Sequence, residues 1–152
     1  MSMYKWIVRT QVRAVFDRIN AGDPMAMVDG LAPSFEYRFH GDHALGGRRT
    51  TRESMIRWWN RVFSLLPGAR FEIRDILVNG GPWRTRIAVR ATVSGDLPGG
   101  VRYENTVFQF MTLAWGRLVA VETLEDLQVL ERALAAVADA GHPAALAAPL
   151  ND

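Results

Sequence analysis

The stretch FHGDHALGG, Phe39 to Gly47, sets two histidines around an aspartate and closes on paired glycines. Imidazole and carboxylate groups at this spacing admit three readings: metal ligation by His40 and His43, acid–base work by His40 or Asp42, or a turn shaped by Gly46-Gly47. A metal site needs further rigid ligands, and the one other histidine, His142, lies near the C-terminal end, so no metal is expected. A second candidate is the pair Glu125-Asp126 at the end of GRLVAVETLED. An acid held among Trp, Val and Met is pushed upward by desolvation and can serve as base or acid near neutrality, which makes Glu125 the first choice for a catalytic group. Its alternative is a strand-end glutamate in solvent or paired with an arginine. Asp126 is either an acid at the end of the strand or the N-cap of the helix that follows. Cysteine is absent from the chain, so thiolate chemistry, disulfides and cysteine-ligated metals are excluded. The phosphate-loop, GxGxxG, GxSxG and HExxH patterns are missing too, and no cofactor is expected.

Elements that would carry these groups can be read from periodicity. Tyr4, Ile7, Val8, Val12, Val15, Phe16 and Ile19 recur at helical spacing, and Ala21-Gly22 ends that helix. Asp23 as N-cap and Pro24 as first residue predict a short second helix to about Leu31, stopped by Pro33. SFEYRF alternates like a strand. Thr50-Thr51-Arg52-Glu53 reads as a capping box launching a third helix with a buried stripe of Met55, Ile56, Trp59, Val62, Phe63 and Leu66. Four strand-like runs follow, RFEIRDILV, PWRTRIAVRATV, VRYENTVFQFMTL and GRLVAVETL, separated by the hairpin signals NGG, GDLPGG and AWG. Leu127, Leu130, Leu134 and Val137 mark a last helix ending at Gly141. The expected organisation is one domain over residues 1–141 and an Ala- and Pro-rich tail over 142–152.

Strand phase then predicts what points inward. Tyr103, Asn105, Val107, Gln109 and Met111 share one face, as do Val121, Thr123 and Glu125, while the run after Pro82 offers Trp83, Thr85, Ile87, Val89 and Ala91. The expected ligand-binding lining is Tyr103, Asn105, Gln109 and Thr123, roofed by Trp59 and Trp83. It suits a cyclic, weakly polar small molecule; the competing reading is a closed core. Phe108 and Phe110 face the other way and predict a homodimer.

Of 18 basic residues 17 are arginines, but with 16 acids the net charge is only +2, so no nucleic-acid partner is expected. The densest basic run, RRTTRESMIRWWNR, reads as a solvated helix face. No run reaches the roughly 18 apolar residues of a membrane span, and MSMYKWIVRT lacks the plan of a signal peptide, so no membrane association and a cytoplasmic location are expected.

Helices followed by a meander of strands predict an α+β fold with helices on one face of a curved sheet. The order of elements, NAGDPMAMVDGLAPSFEY, HALGGRRTTRESM and WGRLVAVETLED together resemble the nuclear-transport-factor-2-like superfamily, over nearly the whole chain. That superfamily includes ketosteroid isomerase, limonene epoxide hydrolase and the SnoaL polyketide cyclases. The resemblance implies a cone-shaped curved antiparallel sheet wrapped by N-terminal helices, with an additional C-terminal helix here. It also places FHGDHALGG at the mouth of the cone and makes dimerisation through the outer sheet face an expectation. Alignment on Gly22-Asp23 puts Val15 at the catalytic tyrosine of ketosteroid isomerase and Phe39 at its base. Alignment back from Gly116 puts Gln109 at its protonated acid, so steroid isomerisation is not expected. SnoaL-type cyclases rely on a histidine and an aspartate, and Asp126 falls where such an aspartate can sit. The functional expectation is a cofactor-free isomerase, cyclase or hydrolase, with a non-catalytic binding or scaffold protein as the alternative.

Overall fold

In the computed structural model, which describes residues 2–152, helix α1 spans Met3–Asn20 and buries Val8, Val12, Phe16 and Ile19 on one stripe. Asn20 closes it on the sheet: its amide accepts from Phe71 N and donates to Phe71 O, both at 2.8 Å. The short helix expected from Asp23 to Leu31 is instead a turn followed by a single 3-10 turn, Val28–Gly30. Asp23 does act as a cap, accepting from Met25 N at 2.9 Å, but Leu31 already belongs to strand β1, Leu31–Phe39. Pro33, expected to stop a helix, lies inside that strand, where the pairing register shifts between Leu31 and Glu36. Such an irregularity is where a strand tolerates a residue with no N–H to donate.

Past the mouth loop come strand β2, Gly47–Arg49, and helix α2, Arg52–Leu65. The helix is capped by Thr51, which accepts from Ser54 N at 3.2 Å, while Ser54 Oγ donates back to Thr51 O at 2.8 Å. The capping residue is therefore Thr51, with Ser54 rather than Glu53 answering it. Strands β3 (Arg70–Gly81), β4 (Arg84–Leu97), β5 (Val101–Ala114) and β6 (Arg117–Glu125) form the expected meander. The β5–β6 hairpin turns on Trp115 and Gly116, both at positive φ (51° and 78°), the conformation that a two-residue turn needs to match strand twist. Helix α3, Leu127–Asp139, buries Leu130, Ala133, Leu134 and Val137.

The sheet runs in the order β2-β1-β6-β5-β4-β3. All neighbours are antiparallel except β1 and β6, which pair in parallel, so the sheet is mixed rather than purely antiparallel. Alternation in sequence reports which residues share a face and not which way a distant strand runs. The architecture is the α+β cone anticipated above: α1 and α2 cover the concave face of a curved, unclosed sheet, and α3 follows its last strand. No helix among the described residues is long and apolar enough to cross a membrane.

Candidate functional site

Strand phase delivers the inward set. Tyr103, Val107, Gln109 and Met111 of β5 are buried, as are Val121, Thr123 and Glu125 of β6. The two strands pair Gln109 with Thr123 and Val107 with Glu125, and Gln109 Nε2 donates to Thr123 Oγ1 at 3.1 Å. Across the concave space, α2 contributes Trp58 and Trp59, β1 contributes Tyr37 and Phe39, and α1 contributes Phe16. They enclose an interior cavity of about 40 Å³ whose polar wall is Gln109, Thr123 and Glu125. That volume holds a water molecule or so, well short of the roughly 300 Å³ that a drug-sized ligand needs. Strand phase leaves a ligand pocket and a closed core open, and an enclosed space of this size lies nearer the closed core.

Glu125 is the chemical centre of that chamber. Only 6% exposed, it is pushed up to about 7 by loss of solvent, partly countered by its hydrogen bond from Tyr103. Tyr103 Oη donates to Oε1 at 2.5 Å, and Asn105 Nδ2 donates to Tyr103 Oη at 2.9 Å. Burial, together with the neighbouring carboxyl, raises Tyr103 well above the ordinary tyrosine range, so it remains a donor. Among the described residues no Arg or Lys lies within ion-pair distance of Glu125, so the arginine-paired alternative does not apply. Glu125 is also among the residues lining an outer groove with Arg74, Arg90, Phe108 and Val129. Two further polar atoms on the lining are buried with no partner, the Gln109 Oε1 acceptor and the Trp59 Nε1 donor.

The other sequence candidates lie elsewhere. Tyr103 and Asn105 reach the chamber only through the hydrogen-bond chain to Glu125. Trp83, expected in the roof, is 65% exposed, because it lies in the β3–β4 turn one residue before β4 begins, where strand alternation no longer sets its direction. Asp126 is the N-cap of α3, accepting from Gln128 N at 3.1 Å and Val129 N at 3.3 Å. His40 sits half-buried on the outer side with Nε2 2.5 Å from Glu122 Oε1, and Asp42 is exposed. His43 is buried and spans its own turn: Nε2 donates to His40 O at 2.9 Å and Leu45 N donates to Nδ1 at 3.2 Å. Desolvation pushes this imidazole downward, which favours the neutral form that such a pairing needs. Gly46 completes the turn, since a Cβ there would stand 2.0 Å from Gly41 O. No group of three or more metal-binding side chains forms among the described residues. The geometry of FHGDHALGG is that of a tight turn at the mouth.

Three residues gain a place that their sequence context hid. Tyr37, fully buried and pushed up to about 12 by burial, lines the chamber. Trp58 lines it too and donates Nε1 to Leu45 O at 2.8 Å, tying α2 to the mouth loop. Arg49, expected on a solvated helix face, is instead on β2 and has no exposed surface. Its guanidinium lies 4.7 Å from the Trp58 ring centroid and 5.7 Å from that of Tyr37. The available signal was Trp58 one turn from Met55 on the helix stripe, and the alternation Gly47-Arg48-Arg49 opposite Phe39-Arg38-Tyr37.

The C-terminal segment crosses this region as a strap. Arg61 Nη1 donates to Ala148 O and Arg49 Nη1 to Leu150 O, at 3.0 and 2.8 Å. Asp152 takes Thr50 N, Thr51 N and both threonine hydroxyls between 2.6 and 3.1 Å. Partial desolvation opposes ionisation of this carboxyl, but the hydrogen bonds from the α2 N-terminus outweigh it and hold the group well below the usual range.

A second, more open groove of about 380 Å³ runs between α1 and the sheet, lined by Val8, Val12, Met27, Met111 and Leu118. Phe16 is the one residue that lines both the groove and the closed chamber.

The SnoaL-like domain family matches residues 12–121. Among solved structures, PrhC of Penicillium brasilianum superposes with a TM-score of 0.74 at 17% identity, over 95% of this chain and 94% of that one. An NTF2-like protein of unknown function from Burkholderia pseudomallei gives 0.71 at 19%, over 82% and 94%. IdmH of Streptomyces antibioticus, provisionally called a polyketide cyclase, gives 0.66 at 20%, over 84% and 97%. At these identities the likeness concerns the fold. No curated protein sequence matches the chain.

Proposed function

The chain belongs to the SnoaL-like domain family, and from that premise we propose that it binds a small cyclic apolar metabolite in the interior chamber and moves a proton on it with Glu125. The observation that carries this reading is the convergence of one carboxyl at about 7 with an unpartnered acceptor, Gln109 Oε1, and an unpartnered donor, Trp59 Nε1. Polar groups left unpaired in an apolar space cost stability, and a ligand bearing a carbonyl or hydroxyl relieves that cost. Glu125 is suited to a cofactor-free base. Tyr103 holds Oε1 and fixes the carboxyl plane, which leaves Oε2 to take the proton, and a base near neutral pH combines availability with driving force. Room for the ligand would come from Phe16 swinging into the adjoining groove.

A direct test uses β-tetralone as probe, following exchange of its α-protons in deuterated buffer by NMR. The chain is expected to accelerate exchange with a rate rising through about pH 7, and Glu125→Gln to lower it by about 10²-fold or more while tetralone still binds. Saturable binding without exchange would establish the non-catalytic binding reading. Absence of any binding would sink both.

The outer sheet face supports a homodimer. Phe108, Phe110 and Leu124 are 53%, 54% and 44% exposed, side by side on β5 and β6, with Arg86 over the Phe110 ring at 6.0 Å. Contiguous apolar groups of this kind are uncommon on a monomer's surface. Light scattering at micromolar concentration is expected to give twice 17.0 kDa, and Phe108→Asp with Phe110→Asp to halve that mass. A strictly monomeric wild type at all concentrations would refute the dimer.

A further inference from the structure

Arg49 presents an arrangement that neither packing nor the proton-transfer reading uses. Its guanidinium is wholly buried, yet among the described residues no carboxylate lies within ion-pair distance of it. One nitrogen, Nη1, is occupied by Gly46 O at 3.0 Å and Leu150 O at 2.8 Å. The other two, Nε and Nη2, have no partner. Those two nitrogens form one edge of the guanidinium and direct their N–H bonds in parallel, the fork that matches the two oxygens of a carboxylate. A buried cation with three of its five N–H donors idle is costly, since a charge removed from water is tolerated when it is paired. Asp152 is an acid whose charge is felt at Arg49, and its carboxylate is committed to Thr50 and Thr51. Arg61 adds a second positive charge nearby, and among the described residues it too is paired only with carbonyls, those of Ala44 and Ala148. The faces of Trp58 and Tyr37 that the guanidinium covers belong to rings lining the interior chamber.

We propose that the Nε–Nη2 edge of Arg49 is a carboxylate-binding site, and that the ligand of this protein is a cyclic carboxylic acid whose ring lies against Trp58 and Tyr37. The ring's place rests on the chamber being the ligand site; the carboxylate's place rests on Arg49 alone. Residues 148–152 pass beside the site, with Leu150 O on Nη1 and Asp152 clasped by Thr50 and Thr51, and in this proposal the ligand enters as this strap lifts.

The test is a titration of the full chain with sodium benzoate, using benzyl alcohol as a neutral molecule of similar shape. It is read by ¹⁵N-edited NMR of the arginine Nε–H signals. Benzoate is expected to shift the Arg49 Nε–H resonance saturably, and benzyl alcohol or equimolar sodium chloride to leave it in place. Arg49→Lys keeps the charge but loses the fork, and is expected to weaken benzoate at least tenfold while β-tetralone binds within about twofold of wild type. The proposal is overturned if the Arg49 signal does not move, if chloride or the alcohol moves it equally, or if Arg49→Lys binds benzoate as well as wild type. Should the lysine variant fail to fold, the wild-type titration decides alone. Tetralone binding without benzoate binding would refute this site and leave the chamber reading intact; the converse would do the reverse.

Discussion

Glu125→Gln is expected to stabilise the folded chain by about 3 kcal/mol at pH 8 and to have almost no effect at pH 4. The sign follows from the direction of the shift. In the unfolded chain this carboxyl titrates near its ordinary 4.5, and in the fold burial moves it up to about 7. Between those values the folded state holds a proton that the unfolded state has released, so stability falls as pH rises through that window and is level above it. The difference corresponds to about 3 kcal/mol at 1.36 kcal/mol per pH unit. Glutamine keeps an acceptor for Tyr103 Oη and carries no charge to desolvate, so the pH-dependent loss disappears. Urea denaturation of both proteins from pH 4 to 8 reads the difference. A gap that does not widen with pH, or a variant less stable than wild type at pH 8, would contradict the buried-carboxyl account. The same change is the one expected to slow proton exchange, a stability–activity trade of the kind found where a site is strained for function.

Removing Trp58 should have the larger effect on the fold. The indole is 3% exposed and packs against Trp59 at 4.8 Å and Tyr37 at 5.2 Å between ring centroids. It also carries the Arg49 guanidinium on its face and donates to Leu45 O. Trp58→Ala empties the junction of α2, β1 and the mouth loop, and large-to-small changes at such sites cost about 3–5 kcal/mol. Leu45 O would lose its partner and Arg49 its stacking surface in the same step. Trp58→Phe retains most of the packing and forfeits the indole N–H, so a loss of about 1–2 kcal/mol is expected. Chemical denaturation of the two variants separates the terms. Equal stability of the alanine variant and wild type would show that α2 and the mouth loop are held by other contacts.

Much of the cone was readable because it depends on local patterns. Val8, Val12, Phe16 and Ile19 fall on one helix stripe by spacing alone, and β5 and β6 alternate so regularly that Gln109, Thr123 and Glu125 could be set inward together. Asp126 could be named as a helix cap from its type and place. Where local rules compete, reading along the chain failed. Pro33 reads as a stop because a proline does end helices; in β1 a register shift absorbs it. Trp83 continues the alternation of β4 in sequence, but it belongs to the hairpin turn, which leaves the ring largely in solvent.

The sequence by itself determined the class of fold and the inward faces of the long strands, because periodicity of 2 and 3.6 fixes which side chains share a face; it named Glu125 as a candidate and left open whether that carboxyl is inside or in solvent. Tertiary structure alone decided three things: the parallel pairing of β1 with β6, the narrowness of the chamber, and the burial of Arg49. Each depends on residues far apart in the chain. The guanidinium is shut in by Trp58 and by the Leu150 carbonyl, and no pattern within RRTTRESMIRWWNR records that a segment some hundred residues later will cross over it. Burial of a charge is a property of what packs around it, and that is settled only when the whole chain has folded.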